Sequence, residues 1–592
     1  HHRLATLGLS PQVIFDAIGR QNAMSPAGAF QTDADEVQVR VTGDLASLAA
    51  LRNLPIAAGN TVLQLGDIAT IRRGYEDPAA YLAYFNGTPA VGVGVAMAEG
   101  ANVVHLGELL AAEVEAFRAD LPLGVEVTQS SDQADIVEHA FDEFIQTFIE
   151  ALVIVLVVSF VTLGLRTGIV VALSVPIVLA VVFVIMQAMG LNFDRITLGA
   201  LIIALGLLVD DAIIAVEMMV VKIEQGYDRI AAASAAWSST AFPMLTGTLV
   251  TAVGFLPVGL AQSTSGEYAG NIFWVVGIAL IVSWFVAVIV TPYLGLKLLP
   301  PPKTGTHHAS YDSRLYRVLR AGVNASLRAR WAVIGLTLAA LVAAGVGMTF
   351  VQQQFFPDSS RPEIIVDLWL PEGASFAASE AVAKRFEKRM LAEPGVQSVT
   401  TWVGSGVPRF YLPLDQVFPQ TNVTQLIVLP QDLKTRESLR IKLPALLAQE
   451  FPEIRGRVKL LPNGPPVPYP VQFRVAGGDT AVLRQKADEV KAIMRQSPHT
   501  RGVNDNWNES VKVIRLEVDQ AKARALGVTS QSIAQASRTI VSGSTVGQFR
   551  DGDKLIDIVL RQPLQERDAI TDLGQAYVPT ASGKSIPLLQ IA

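Results

Sequence analysis

Six long apolar stretches constrain this chain more than any other feature, at roughly 144–165, 168–190, 196–220, 240–262, 270–296 and 331–351. A bilayer core takes about 20 helical residues to cross, and each stretch reaches that length. Outside the third, charge hardly interrupts them; Glu150, near the start of the first, is the exception. Pro176, Pro257 and Pro292 fall inside stretches, where a membrane helix tolerates them better than a soluble one. The 592 residues are 50% apolar and only 17% charged, with a mean hydropathy of +0.38. A soluble chain of this size carries far more charge. Because the apolar residues come in blocks, the expected class is an α+β membrane protein, a bundle of six transmembrane helices with soluble domains attached.

Loop charges set the orientation. The connection 298–330 holds Lys303, Arg314, Arg317, Arg320, Arg328 and Arg330 against the single acid Asp312. Positive charge gathers on the cytoplasmic side, so this connection is expected inside, with regions 1–143 and 352–592 outside. By alternation Arg166 and the segment Lys222 to Arg229 also lie inside, while Asp194, Arg195 and Glu267 lie outside. Leu315, Val318, Leu319 and Val323 recur at helical spacing among the arginines. That pattern fits an amphipathic helix on the inner membrane surface; a solvated linker is the alternative.

Two exclusions follow from composition. A net charge of -6, with no basic stripe, gives no nucleic-acid footprint. The absence of cysteine rules out disulfides, thiolate metal sites and thiol nucleophiles.

The outer regions alternate strand and helix patterns. In 361–463, strands are expected at Ile364–Leu370, Val399–Val403, Gln425–Leu429 and Val458–Leu461, with helices near 376–393 and 435–450. Strand–helix–strand–strand–helix–strand is the split βαβ order. Segment 76–133 reads as most of another such unit, with a strand pair, a helix near 102–119 and a closing strand at Gly124–Thr128; 471–518 reads as the start of a third. An internal repeat frames the whole. Leu7 to Gln12, a helix, Gly28-Ala29-Phe30 and Gly66 to Ala69 are matched by Leu526 to Gln531, a helix, Gly547-Gln548-Phe549 and Leu589 to Ala592. A duplicated half is a transporter architecture. The two copies, the lack of an initiator Met or signal-like core in His1 to Ser10, and the final residues together suggest a fragment spanning one repeat period.

The sharpest chemical signal lies in the third stretch, Gly206-Leu207-Leu208-Val209-Asp210-Asp211-Ala212-Ile213-Ile214. Each charged Asp at that depth costs roughly 2.5–3.5 kcal/mol on insertion scales. Such a cost fits a carboxyl that binds and releases a proton, since burial and nearby cations shift its pKa in opposite directions. A structural polar pair at a helix contact is the competing reading. No His or third carboxylate is spaced to make the pair a metal site, and Glu217 is expected to face the interface.

These residues, the two outer motifs, the Phe85-Asn86-Gly87-Thr88-Pro89-Ala90 turn and Gly100-Ala101-Asn102 together resemble the resistance–nodulation–division exporters, in their hydrophobe/amphiphile branch. The resemblance runs along the whole chain. It implies a homotrimeric proton/drug antiporter in the bacterial inner membrane, with large periplasmic domains, working with a periplasmic adaptor and an outer-membrane channel. A transporter of that kind works by conformational coupling, so no cofactor and no enzymatic activity are expected. By resemblance Asp210 and Asp211 form the proton relay, with a lysine and polar partners expected beyond Ala592. The implied division is docking domain 1–75, porter subdomain 76–133, transmembrane helices 134–297, cytoplasmic linker helix 298–330, transmembrane helix 331–356, porter subdomains 357–470 and 471–520, and second docking domain 521–592. Tyr81, Trp402, Phe410 and Tyr411 match substrate-cleft positions, the last two in the loop that switches access. Gln129-Ser130-Ser131 stands where the family has an aromatic, Gly404 to Pro408 lacks the usual phenylalanines, and Gly28–Val37 is short for the intersubunit arm. A metal exporter would need gathered thioethers, whereas Met24, Met97, Met390 and Met494 are scattered. A non-transporting assembly subunit would gain nothing from two carboxylates in lipid.

Overall fold

The computed structural model of the chain describes residues 7, 9, 11–22, 27–39, 41, 45, 47–58, 61–299, 314–351, 358–464, 467–567, 569–580, 582 and 584–592. Helix α1 (Pro11–Gln21) opens on a proline, whose missing N–H is no loss in a first turn, and sets Ile14 and Ile18 one turn apart on a buried face. Hairpins β1–β2 (Ala29–Gln31, Glu36–Gln38) and β3–β4 (Pro55–Ala58, Thr61–Gln64) follow, and the short helix Leu65–Ile68 closes the unit. Leu9, Leu45, Leu51, Leu54, Ile56 and Leu65 complete its core. The next hairpin, β5–β6 (Leu82–Phe85, Thr88–Ala90), turns through Asn86-Gly87 at φ 49° and 82°, the left-handed pair that a two-residue turn requires. Helix α2 (Val103–Ala119) starts where the Asn102 side chain accepts from the Val104 and His105 amides at 2.9 and 3.3 Å. The expected closing strand at Gly124–Thr128 is irregular chain instead.

Helices α3 (Gln133–Leu163), α4 (Leu165–Ala188), α5 (Arg195–Glu224), α6 (Arg229–Gly254), α7 (Thr264–Phe285), α8 (Thr291–Leu298), α9 (Arg314–Arg328) and α10 (Arg330–Met348) come next. Asp132, Asp194 and Asp228 cap α3, α5 and α6, each accepting from free first-turn amides. A π turn, Val286–Val290, joins α7 to α8. Among the described residues, five segments are long and apolar enough to cross a membrane: Gln133–Thr162, Leu165–Ala188, Arg195–Glu224, Gly266–Leu298 and Arg330–Met348. Six were expected. The sixth, at 240–262, falls on α6, which is diluted with Ala, Ser and Thr and stops at Gly254, because Pro257 starts a separate short helix, Leu256–Gly259. Pro257 therefore stands at a helix start, Pro292 follows the π turn inside the continuous span Gly266–Leu298, and Pro176 and Pro243 are interior prolines.

Helix α5 is the centre of the bundle, with α3, α4, α6 and α7 against it and Leu201, Leu205, Leu208, Val216 and Met219 buried. By contrast α10 buries none of its 19 residues within this chain; a bare apolar helix of that length suits hydrocarbon, not water. Val318, Leu319 and Val323 of α9 are likewise exposed. Met24, Lys303, Asp312 and the Leu315 side chain lie outside the described residues.

Beyond α10 come β7 (Ile364–Trp369), α11 (Phe376–Leu391), β8 (Val396–Val403), β9 (Val423–Pro430), α12 (Leu433–Glu450) and β10 (Arg455–Leu460). The order is the expected split βαβ, all antiparallel, spatially β10-β7-β9-β8. Alternation sorts the faces. Ile364, Val366, Leu368, Val399, Leu426 and Val428 meet Phe386, Met390, Leu443 and Leu447 of the helices. The opposite face carries Ile365 and Ile427, with Trp402 packed against them.

The sheet continues past β8. Strand β5 pairs with it from Leu82↔Val403 to Phe85↔Thr400, giving six strands, β10-β7-β9-β8-β5-β6. Segment 76–133 thus lends its hairpin to the sheet of the later unit. Asn86 fixes the join, its Oδ1 accepting from the Val399 amide at 2.8 Å and its own N–H donating to Val399 O at 2.9 Å. From α11, Glu380 accepts from the Tyr84 hydroxyl at 2.7 Å and Glu387 from the Gly87 amide at 2.9 Å. Region 471–518 contributes helix α13 (Thr480–Gln496) and, among the described residues, no strand.

The C-terminal region repeats the N-terminal order: helix α14 (Ser530–Val541), hairpin β11–β12 (Ser544–Asp551, Lys554–Leu560), hairpin β13–β14 (Tyr577–Pro579, Ser585–Pro587), then a closing turn, Leu588–Gln590. The copies touch. Val546, Phe549, Ile558 and Leu560 of β11–β12 pack onto the α1 core, the Asn22 side chain donates to Gln548 O, and Arg73 pairs with Asp551 at 2.8 Å.

Burial pushes the Glu387 carboxyl above the usual range, and the Gly87 amide offsets this only in part. The folded state then holds a proton more tightly than the unfolded chain, so this group's contribution is greatest at low pH and is lost as pH rises through the raised value. Glu387→Gln keeps an acceptor for Gly87 without the charge. It should raise the Tm of the full-length protein at neutral pH, with the gain vanishing under acid. A gain that does not change with pH would contradict this account.

Candidate functional site

Neighbouring residues on an α-helix point about 100° apart, so Asp210 and Asp211 on α5 cannot both face the bundle. Asp211 is the inward one, 7% exposed, while Asp210 is exposed. Glu217 is exposed too. Asp211 Oδ2 accepts from Ser283 Oγ of α7 at 2.9 Å and from Thr248 Oγ1 of α6 at 3.3 Å. Trp284, next to Ser283, donates its indole N–H to Ala241 O of α6 at 2.8 Å, which fixes the two helices in register around the carboxyl.

Each hydroxyl has a second acceptor within reach and only one proton to give. Thr248 Oγ1 lies 2.8 Å from Met244 O, and Ser283 Oγ lies 3.0 Å from Leu280 O. With Asp211 ionised, both hydroxyls turn to its oxygen. With it protonated, its own O–H donates to one hydroxyl, which turns back to its helix carbonyl. The site therefore satisfies the carboxyl in either protonation state without moving a backbone atom. Among the described residues neither Asp210 nor Asp211 has an ion-pair partner. Thr248 and Ser283 were missed in the sequence, although a lone Ser in the run Leu280 to Phe285 was a legible signal.

The four aromatics divide. Trp402, Phe410 and Tyr411 pack on one cluster with Ile365, Val407, Leu414, Ile427 and Leu461, under the loop 404–422. Tyr81 is apart, 65% exposed just before β5. Burial pushes the Tyr411 phenol up, so it stays a neutral donor, bonded to Pro462 O at 2.9 Å. The loop is also held by Gln425 Oε1, which accepts from the Val407 amide at 2.8 Å, and by Lys459, which joins Asp367 and Asp415 at 2.9 Å each. Arg361 lies over both loop rings, 5.0 Å from Tyr411 and 5.6 Å from Phe410.

An apolar bundle with a central buried carboxyl, a split βαβ sheet and two matching outer units is one coherent set, and comparison with known proteins agrees. Residues 1–592 match the profile described as the AcrB/AcrD/AcrF family. The chain belongs to that family. It is 24% identical to "Multidrug resistance protein MdtC" of Yersinia enterocolitica, over 99% of this chain and 57% of that one. To "Toluene efflux pump membrane transporter TtgE" of Pseudomonas putida it is 25% identical, over 87% of this chain and 50% of the other. To "Cation efflux system protein CusA" of Escherichia coli O157:H7 it is 24% identical, over 100% and 58%. These are resistance–nodulation–division permeases, and the chain spans about half their length. Of the methionines that a cation site would need, Met390 is buried in the sheet–helix core, Met97 is exposed and Met494 lies on α13.

Removing a donor from a buried acceptor costs about 1–3 kcal/mol. Ser283→Ala should therefore lower the thermal stability of the full-length protein more than Thr248→Val, whose bond is longer. Melting of the two purified variants at neutral pH checks the order; the reverse order would mean that Thr248 is the main donor.

Proposed function

We propose that the protein acts in a proton/drug antiporter of the bacterial inner membrane, exporting amphiphilic compounds from outer domains coupled to the bundle. The observation that carries the reading is Asp211, a carboxyl at the heart of an apolar bundle with two hydroxyls that serve either of its protonation states. A group that is satisfied both ways can take up and release a proton at low barrier. One proton crossing the membrane releases about 2.3 kcal/mol per 100 mV of potential, and a helix shift that moves Asp211 between its hydroxyls and a cation would spend that energy on the outer domains. Asp210, exposed on the adjoining face, would meet the polar and cationic partners of the second half, in keeping with relatives nearly twice this chain's length.

The work is conformational, without a covalent step or cofactor. Trp402, Phe410 and Tyr411 offer an apolar aromatic face for amphiphiles, and Tyr81, apart from them and exposed, would be a separate contact. The implied assembly is a homotrimer with a periplasmic adaptor and an outer-membrane channel, the two repeated outer units serving as docking domains. The likeness to a cation efflux protein keeps metal export as the second reading; the separation of the methionines tells against it.

In the complete pump, expressed in a pump-deficient bacterium, Asp211→Asn should reduce dye efflux to the level of the empty strain at matched abundance. Ser283→Ala should leave efflux measurable but displace its pH profile. Unchanged efflux in Asp211→Asn would make the pair structural, and growth protection against metal salts but not dyes would favour the second reading.

A further inference from the structure

The chain leaves α10 and enters β7 through Arg361-Pro362-Glu363, and Arg361 is 5% exposed. Its guanidinium is engaged on every side. Nε reaches both Glu363 oxygens at 3.2 Å and Nη2 reaches Glu363 Oε1 at 2.5 Å. Nη1 donates to Gln133 Oε1 at 2.9 Å and Nη2 to Ser131 Oγ at 3.3 Å. Its face carries the rings of Tyr411 and Phe410. The backbone is fixed as well: Arg436 of α12 donates to Ser359 O and Arg361 O, both at 2.7 Å.

These partners belong to different parts of the molecule. Glu363 and Arg436 belong to the six-stranded sheet and its helices. Tyr411 and Phe410 belong to the aromatic loop. Gln133 is the first residue of α3 and Ser131 immediately precedes its Asp132 cap. From there α3 runs down the bundle beside α5, the helix of Asp211, with Phe144, Phe148 and Leu152 in the shared core. Arg195 at the start of α5 and Tyr268 of α7 are near enough to act electrostatically on the Tyr411 hydroxyl.

A buried ion pair is a poor source of stability, because desolvation offsets its attraction. A planar fork with donors in several directions and a stackable face is, however, a good means of holding three bodies at fixed angles, and Lys offers neither property. We propose that Arg361 is a positioning residue that ties the outer end of α3 to the aromatic loop, so that movement of the bundle sets the place of Phe410 and Tyr411. This rests on the antiport reading, since it supplies the link between Asp211 and the aromatic face. Ser131, where the family pattern has an aromatic, serves here as an acceptor for that link.

The test uses the full-length pump made cysteine-free, with Leu412→Cys, 73% exposed beside Tyr411, carrying an environment-sensitive fluorophore. Arg361→Met and the pair Ser131→Ala/Gln133→Ala should each shift the probe's emission in the same direction. Combined, they should shift it no further than either alone, since both cut one link. In the Ser131→Ala/Gln133→Ala variant, whose altered residues do not touch the aromatic rings, dye carried per proton in proteoliposomes should fall several-fold with dye binding unchanged, and Gln133→Glu should retain coupling where Gln133→Ala loses it. Additive probe shifts, an unmoved probe, or loss of dye binding in step with loss of transport would overturn the link. The two readings fail separately. If efflux is independent of Asp211 while the probe shifts remain non-additive, the proton reading falls and the link stands. If Asp211→Asn abolishes efflux but the shifts are additive, the link falls alone.

Discussion

A carboxyl group inside an apolar helical bundle must find its hydrogen bonds on the helices themselves, because water is not there to supply them. That requirement organises the membrane region. Asp211 on α5 has to meet donors, and the chain provides one on each of two neighbours, Thr248 of α6 and Ser283 of α7. The Trp284 to Ala241 bond keeps those two in register. The small residues around them, Ala204, Ala212, Ala215, Ala241, Ala252 and Ala279, all buried, let the three helices approach closely enough for short side chains to span the gap. Moving any one helix along its axis breaks the set, which makes the bundle's geometry and the carboxyl's comfort one and the same variable.

The outer region is organised by a different constraint, the satisfaction of polar groups inside a sheet that serves two segments of chain. The β5–β6 hairpin arrives from before the membrane helices and is received by β8 and α11, which come after them. The face turned away from the helices is not a simple apolar layer: Asp367, Gln425 and Lys459 form a buried polar row, and the row's spare donors and acceptors hold the loop 404–422. The loop is thereby a defined structure with attachments at Val407, Tyr411 and Asp415, and its aromatic rings are placed by those attachments as much as by their own packing.

Much of this was legible in the sequence, and the parts that were not share a cause. Local signals read true. Alternation over 364–370 and 425–429, the Asn86-Gly87 turn and the helices within 376–393 and 435–450 all appear as strand, turn and helix. The long repeat is a real structural repeat, because equivalent helices and hairpins follow each motif. Partnership across the chain did not read. Strand propensity at Gly124–Thr128 has no edge to pair with among the described residues, so it makes no strand. The hairpin's membership of the later sheet depends on contacts about 300 residues away. At the site, Asp210-Asp211 was conspicuous, yet which one turns inward depends on where α6 and α7 lie. The hydroxyls that receive it were invisible for the same reason: a Ser or Thr in an apolar helix has its own backbone carbonyl as an acceptor, and nothing local tells the two uses apart.

The seating of β11–β12 on the α1 core joins residues 526 positions apart, Asn22 and Gln548, and so closes the chain into a ring. A ribosome makes a chain from one end only. Ile14 and Ile18 are made before, and Phe549 and Ile558, which cover them, after, every membrane helix described here. At roughly 5–20 residues per second, the interval is on the order of tens of seconds. The unit around α1 thus waits for its cover, and through that interval it presents an open apolar face in the compartment where it folds. Such a nascent unit is a natural client for a holdase, and the yield of the finished protein would answer to how well that waiting surface is shielded.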